Sequence, residues 1–464
     1  MKRRFAMSIL MLAPLAAAAN AHAKKVTLPE LLDMARAANP GLRAGAAATS
    51  AMEAQVSEAR RNWLPTGDIL SLVAPSPNIQ CRAVASDATE PPDFRQQNCI
   101  STTAGEATIS TLDFRSVFTR TEVRLIQPVW DFGKISAGIA AARAGVEVSR
   151  EREAGARADL ELNVRKAYYG IKLARELVDT LEEGSGYIDD GQKRIDSDLA
   201  KGTGTATVTD KLRLRTVRAE VDARLLEAKR LGEVARDGLR ALLGPDAPDD
   251  IDIDEEPLTP LEVKPRTVSF YEDQARYSRP EVRLLDHAVK AKNALADLER
   301  RKEYPDLVLV GSATLAYAGK VDNPQNAFLS HYFNSTGAGV AAALRMQLDL
   351  GPKLARADRT RAEATETEYR RSEALGGILY EVRRAYGELT EAQARTEAVH
   401  KGERAGKAWI SAVAQNFAVG LAEARDLSDA LLAFFQMRAR YLQSVFDLNV
   451  AASVLARATG AANL

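Results

Sequence analysis

DFGKISAGIAAARAGVEVSREREAGARADLELNVRKAYYGIKLARELVDTLEEGSGYIDDGQKRIDSDLA, residues 131–200, runs seventy positions without a proline. Leu160, Val164, Tyr168, Ile171, Ala174, Val178 and Leu181 recur at helical spacing, and Glu151, Arg157, Glu161, Arg165, Lys172 and Glu176 fill other positions. The pattern predicts one amphipathic helix. At ~1.5 Å per residue it would be roughly 100 Å long. A rod of that reach cannot bury its apolar stripe on itself and needs partner helices of comparable length.

The stretch has a copy. All 18 prolines fall outside two windows, 129–244 and 353–464. Asp131-Phe132-Gly133 matches Asp349-Leu350-Gly351, and Val164-Arg165-Lys166-Ala167-Tyr168 matches Val382-Arg383-Arg384-Ala385-Tyr386, both at an offset of 218. Gly204, Asp210 and Gly244 match Gly420, Asp426 and Gly460 at 216, while Pro40 and Pro65 match Pro280 and Pro305 at 240. Constant offsets mark an internal duplication. The step from 240 to 218 places 22 extra residues in copy one, between Pro65 and Gly133, where Cys81 and Cys99 sit.

The helix lengths fit one another. In copy one, helical stretches 41–63 and 206–243 total 61 residues against 70 in the long helix, and 281–303 with 422–459 repeat this against 349–418. Two short helices end to end nearly span one long helix. The chain must then reverse near 201–205 and 419–421, where Gly204 and Gly420 supply the conformational freedom of a tight turn. Between the copies, Gly244–Pro265 is rich in proline and acid and reads as a connector running over the surface.

Strands flank the junctions, at about 66–75, 117–129, 306–317 and 336–348. In Val117–Val129, Val117, Thr119, Thr121, Val123 and Leu125 share one face, and Phe118, Arg120, Glu122 and Arg124 the other. In the last strand Val340, Leu344 and Met346 oppose Arg345 and Gln347. Period two with an apolar and a charged face suits a barrel strand between lipid and water. A soluble hairpin packed on a helix is the other reading. Four strands cannot close a barrel, so membrane-spanning strands would have to be shared among several chains.

Sixty-three basic and sixty-three acidic residues give no net charge, which argues against a nucleic-acid partner. Met1-Lys2-Arg3-Arg4, the apolar run Phe5–Ala19 and Ala21-His22-Ala23 read as a signal peptide cleaved after Ala23, rather than as an N-terminal anchor. No later apolar run reaches eighteen residues, so any membrane span would be a β-barrel. In an oxidising compartment Cys81 and Cys99 are expected to pair, at ~3 kcal/mol by loop entropy, two free thiols being the alternative. Loss of two hydrogens in the intact mass would distinguish them. His22, His287, His331 and His400 are scattered, and no zinc spacing, nucleophile elbow or Walker lysine after Gly202-Thr203-Gly204 is present. An enzyme, a cofactor or a bound metal is therefore not expected.

The Leu28-to-Asn39-Pro40-Gly41-Leu42 opening, Ser278-Arg279-Pro280-Glu281, the strand–Asp-x-Gly–helix junctions and Val419-Gly420-Leu421 followed by Asp426 lie on a duplicated chain. Together they resemble the TolC-type outer-membrane efflux and secretion channels over essentially the whole mature chain. The resemblance implies a mainly α fold with a β-barrel portion. Duplicated helical hairpins would form a periplasmic α-barrel, and four strands per chain a shared transmembrane barrel of twelve in a homotrimer. It implies the outer membrane of a Gram-negative bacterium, contact with outer-membrane lipid, and partnership with a periplasmic adaptor (membrane fusion protein) and inner-membrane pump in efflux or type I secretion.

By that resemblance the adaptor meets the turns at Val419-Gly420-Leu421 and, in copy one, at Gly204. Asp426 and Asp429, six and nine residues after Gly420, would narrow the periplasmic entrance. The plainer reading of Asp426 is a first-turn acid at a helix N-terminus. Copy one keeps Asp210 but has Arg213 at the second position. The chain thus divides into a signal peptide (1–23), a first repeat (24–245), a linker (246–265) and a second repeat (266–464). A periplasmic coiled-coil adaptor, or a structural protein without a barrel, is the competing reading.

Overall fold

The computed structural model describes residues 25–76, 79–83, 97–101, 116–202, 207–248, 251–321, 332–419 and 421–461. The signal-peptide segment, Gly204 and Gly420 lie outside them. The described helices are α1 (Leu28–Ala38), α2 (Pro40–Arg61), α3 (Lys134–Lys201), α4 (Val208–Leu243), α5 (Val268–Ser278), α6 (Pro280–Arg301), α7 (Leu350–Ala418) and α8 (Ala424–Thr459). The strands are β1 (Lys25–Val26), β2 (Thr66–Ser76), β3 (Ile79–Ala83), β4 (Gln97–Ser101), β5 (Ser116–Trp130), β6 (Asp252–Ile253), β7 (Asp306–Ala318) and β8 (Ser335–Arg345). Two compact units result: one from the chain up to Ala46, Arg152–Val282 and Leu375 onward, the other from Ala47–Glu151 and Arg283–Ala374.

In the first unit α3 is the axis. Leu160, Val164, Tyr168 and Ile171 pack with Leu31 and Leu32 of α1, Leu239 and Leu243 of α4, and Leu442 and Val445 of α8. Further along, Ile188 and Ile195 meet Leu214 and Val217 of α4, Leu427, Leu431 and Phe434 of α8, and Ile410 of α7. The buried stripe of α7 is narrower. Ile378, Val382, Ala385, Leu389 and Ala392 follow 4-3-4-3 spacing against Leu448, Ala452 and Leu455 of α8, the seam of a coiled coil.

The short helices abut end to end. The Asn39 amide donates to Leu242 O at 2.7 Å. A Cβ on Gly244 (φ 93°) would lie 2.9 Å from Pro40 Cδ, so the end of α4 butts on the start of α2. Gly460 (φ 73°) does the same for α8 and α6, where a Cβ would lie 2.7 Å from Ser278 O. Pro40 and Pro280 break α1 from α2 and α5 from α6, because the residue before proline leaves the helical region. Both eleven-residue helices, α1 and α5, are additional to the plan read from periodicity.

The acidic connector runs over the surface, with most of its described residues exposed, but it is anchored there by contacts that its composition does not announce. Its β6 pairs in parallel with β1, joining Lys25 to Asp252 and Val26 to Ile253. Ile253 and Leu258 enter the core. Asp254 accepts the Tyr168 hydroxyl at 2.5 Å and faces Lys172 Nζ at 2.6 Å. Arg175 donates to Asp252 Oδ1 and to Asp254 O, both at 2.9 Å. Buried Asn449 grips the backbone further on, accepting from Leu261 N and donating to Thr259 O, each at 2.9 Å.

In the second unit β2, β5, β7 and β8 form one antiparallel sheet in that order. Each copy supplies a hairpin, and β5 joins to β7 across the duplication. A bulge between Pro128 and Trp130 absorbs a proline that has no N–H to give. Helix α3 starts at Lys134 rather than at Asp131, because Phe132 (φ 52°) and Gly133 (φ 80°) form a left-handed turn. Asp131 caps it, its carboxylate accepting Gly133 N at 3.0 Å and also Ile135 N. Arg301 and Lys134 lock the junction, bonding Gly133 O and Tyr304 O at 2.7 Å each.

Candidate functional site

The sheet carries one chemical face and one contrasting face. Register sets Ile69 beside Val123 and Ala313, Leu125 beside Gly311 and Val340, and Leu307 beside Leu344. Of these, Ile69, Leu125, Val340 and Leu344 are exposed, as are Val73 and Leu315 on the same face. The reverse face pairs Asp68 with Arg124 and Ser312, and Leu70 with Glu122 and Thr314. Edges β2 and β8 each have one neighbour within the chain.

At the end of the sheet nearest the helices, Trp63, Trp130, Phe132 and Tyr304 are all exposed. Phe132 stacks on Tyr304 with centroids 5.6 Å apart and meets Trp130 edge-on at 6.2 Å. Exposed aromatics at the margin of an apolar sheet face mark a lipid–water interface. This cluster was not read from the sequence, although each member sits within three residues of a strand end.

The acids expected at the entrance take up definite local roles. Asp210 is the third residue of α4. Its carboxylate accepts Thr207 N at 3.0 Å and Thr207 Oγ1 at 2.7 Å, and its own N–H returns to Thr207 Oγ1 at 3.2 Å. Asp426 repeats this on α8, accepting Glu423 N at 3.3 Å. Both therefore close capping boxes. Asp429 lies one turn further on the same exposed side, 3.8 Å from Arg425. Leu427 and Leu431, between and beyond them, are buried in the α3–α8 core, so the two aspartates point away from it.

At the turn itself Val419 and Leu421 are 69% and 80% exposed, and Leu421 N bonds Asn416 O at 2.8 Å. In copy one the described left-handed residue is Gly202 (φ 63°), two positions before the glycine the duplication singles out. The tip of α4 is basic, with Lys211 paired to Asp196 and Arg218 to Asp189 and Asp222. Cys81 and Cys99 are direct partners in the β3–β4 register. Among the described residues no helix is long and apolar enough to cross a membrane, and no group of His, Cys, Asp and Glu could hold a metal.

Long helical hairpins joined to a sheet with one exposed apolar face define a channel component of the barrel-and-tunnel kind. The profile of the outer membrane efflux protein family matches residues 104–245 and 272–461. The chain belongs to the outer membrane efflux protein family. It is 25% identical over 387 residues to protein CyaE of Bordetella pertussis, covering 80% of this chain and 71% of that one. It is 25% identical over 334 residues to the cobalt-zinc-cadmium resistance protein CzcC of Cupriavidus metallidurans, covering 71% and 74%. The open state of the Neisseria gonorrhoeae MtrE outer membrane channel has the same fold, with a TM-score of 0.70 and 19% identity over 94% of this chain and 89% of that one. Family and fold are those of outer-membrane channels rather than of enzymes or of adaptors without a barrel.

Proposed function

We propose that three copies of this chain form the exit duct of an efflux or type I secretion system, fed through a periplasmic adaptor from an inner-membrane pump. The sheet supports this reading most directly. Its apolar face is exposed, and its two free edges are a first strand (β2) and a second strand (β8), the kinds of strand that β7 and β5 already join inside the chain. Repeating that junction between chains sets β8 against β2 of the next copy. No open edge is tolerated in lipid, and three chains of four strands close the ring. The protein extracted in mild detergent should have three times the mass of the mature chain by native mass spectrometry, and a monomer would refute the reading.

In this duct the Val419-Gly420-Leu421 turn, with its two exposed apolar residues, presents the adaptor contact, and Gly204 marks the corresponding tip of copy one. Asp426 and Asp429 form the entrance constriction, three copies giving two carboxylate rings that attract cations. Asp210, held in its cap and followed by Arg213, adds no matching pair. Cys81 and Cys99 form a disulfide that staples the copy-one insertion. Asp429→Ala, which leaves both capping boxes untouched and both widens the ring and removes its charge, should raise single-channel conductance in planar bilayers and weaken block by divalent cations several-fold. Adding Asp426→Asn should extend both effects, at a capping cost of about 1 kcal/mol. Unchanged conductance and block in the double variant would remove the aspartates from the entrance.

A further inference from the structure

A cavity of about 580 Å³ opens between α2, α3 and α6 in the second unit. Its floor is apolar, with Val56 and Val146 buried. Its walls carry four cations, Arg60, Arg143, Arg150 and Lys290, against two carboxylates, Glu53 and Glu147. Both carboxylates are spent on one residue: Arg150 bonds Glu53 and Glu147 at 2.8 Å each. Arg60, Arg143 and Lys290 have no hydrogen-bonded or ion-pair partner among the described residues. Neighbouring cations on the same helices are paired, Arg283 with Glu151 and Lys292 with Glu363, both at 2.9 Å.

Three unpaired cations around one hollow repel one another, and an apolar floor strengthens that repulsion by lowering the local dielectric. The arrangement is relieved by an anion. We infer that this cavity is a binding site for a phosphate group. Its two-charge cationic excess suits a phosphate group, whether the single charge of a lipid phosphodiester or the one to two charges of free phosphate. Two free guanidinium forks suit tetrahedral oxygens, and Lys290 adds a point charge. The site is open at the level where lipid headgroups begin: Arg60 lies on the last turn of α2, three residues before the exposed Trp63 of the aromatic cluster. Lipid and soluble phosphate are therefore both available sources of the same chemistry.

The test uses the assembled full-length protein in detergent. Inorganic pyrophosphate is titrated calorimetrically at constant ionic strength against chloride, for wild type, Arg143→Gln/Lys290→Gln and the charge-keeping Arg143→Lys/Lys290→Arg. Arg143 and Lys290 are exposed and unpartnered, so both variants should keep the wild-type circular dichroism. Binding should weaken at least tenfold in the glutamine variant and be largely retained in the charge-keeping one. A parallel arm compares retention of phosphatidylglycerol and phosphatidylcholine by native mass spectrometry. Selective retention of phosphatidylglycerol, lost in the glutamine variant, identifies a lipid phosphate, and pyrophosphate binding without lipid selectivity identifies a soluble one. Equal pyrophosphate binding in wild type and the glutamine variant, or none above chloride, overturns the site. A carboxylate from a neighbouring copy filling the cavity would give the latter result.

Discussion

Ala313→Arg is expected to abolish accumulation of the proposed heat-modifiable trimer in the outer membrane, and Thr314→Arg, one residue on, to leave it nearly unchanged. The two positions lie mid-strand in β7 on opposite faces. Ala313 is flanked by Val123 and Ala338 on the apolar face, whereas Thr314 lies directly opposite Glu122. An arginine near the bilayer midplane on the lipid side of a barrel costs about 2–4 kcal/mol. The proposed trimer would incur that cost three times, comparable with the whole stability of many domains. At Thr314 the new guanidinium meets water and a carboxylate. Outer-membrane fractionation with unheated gels would read the contrast, and equal behaviour of the two variants would refute the assignment of the faces.

Asp254→Asn should cost about 3–5 kcal/mol, the range for leaving a buried charge without its partner. The Lys172 and Asp254 side chains are only 7% and 15% exposed, so little screening reduces the figure. Lys172→Met/Asp254→Asn should recover much of the loss, because the stranded ammonium is gone. Chemical denaturation of the full-length protein would measure both, and a single-variant cost below about 1 kcal/mol would refute the clamp.

The same carboxylate gives the stability a pH dependence. Burial alone would raise its pKa, but hydrogen bonds from Lys172 and Tyr168 and the Lys172 charge hold it below the usual value. Glu281 behaves alike: burial is outweighed by the hydrogen bond and charge of Arg457. Carboxylates with depressed pKa stabilise the fold fully above the ordinary range and release that stability as pH falls through their folded values. Melting temperature should thus hold from neutrality to about pH 5 and drop steeply below about pH 4, less steeply in Asp254→Asn.

The duplication and the long helices were legible because proline and heptad spacing act along the chain. So were the two faces of β5, since strand periodicity survives a change of neighbour. The periodicity places the start of the long helix three residues early, at Asp131 rather than Lys134. No proline marks a break at Asp131-Phe132-Gly133, but the Asp131 carboxylate binds backbone N–H groups in a left-handed turn. The anchoring of the connector is illegible in the sequence for a related reason. Six acids among the eight residues 249–256 resemble a solvated tether until their cations are known, and Lys172 and Arg175 lie some eighty positions away on α3. Phosphate-site cations were likewise invisible singly, being defined by the partners they lack. Asp426 had two readings, dipole acid and entrance ring. Its capping box satisfies the first without excluding the second, because the box uses only one of its carboxylate oxygens.

The β5–β7 junction also sets an order of events in time. Phe118 pairs with Ala318, two hundred residues further along the chain. Copy one therefore leaves the export machinery with a finished hairpin whose inner edge has nothing to pair with, while copy two is still being delivered. Contacts this distant form slowly, and an exposed strand edge beside an apolar face is a template for aggregation during the wait. Until β7 arrives, that edge stays a hazard for the unfinished chain. A delay between the two halves of the chain should therefore lower the yield of folded protein even where the stability of the finished duct is unchanged.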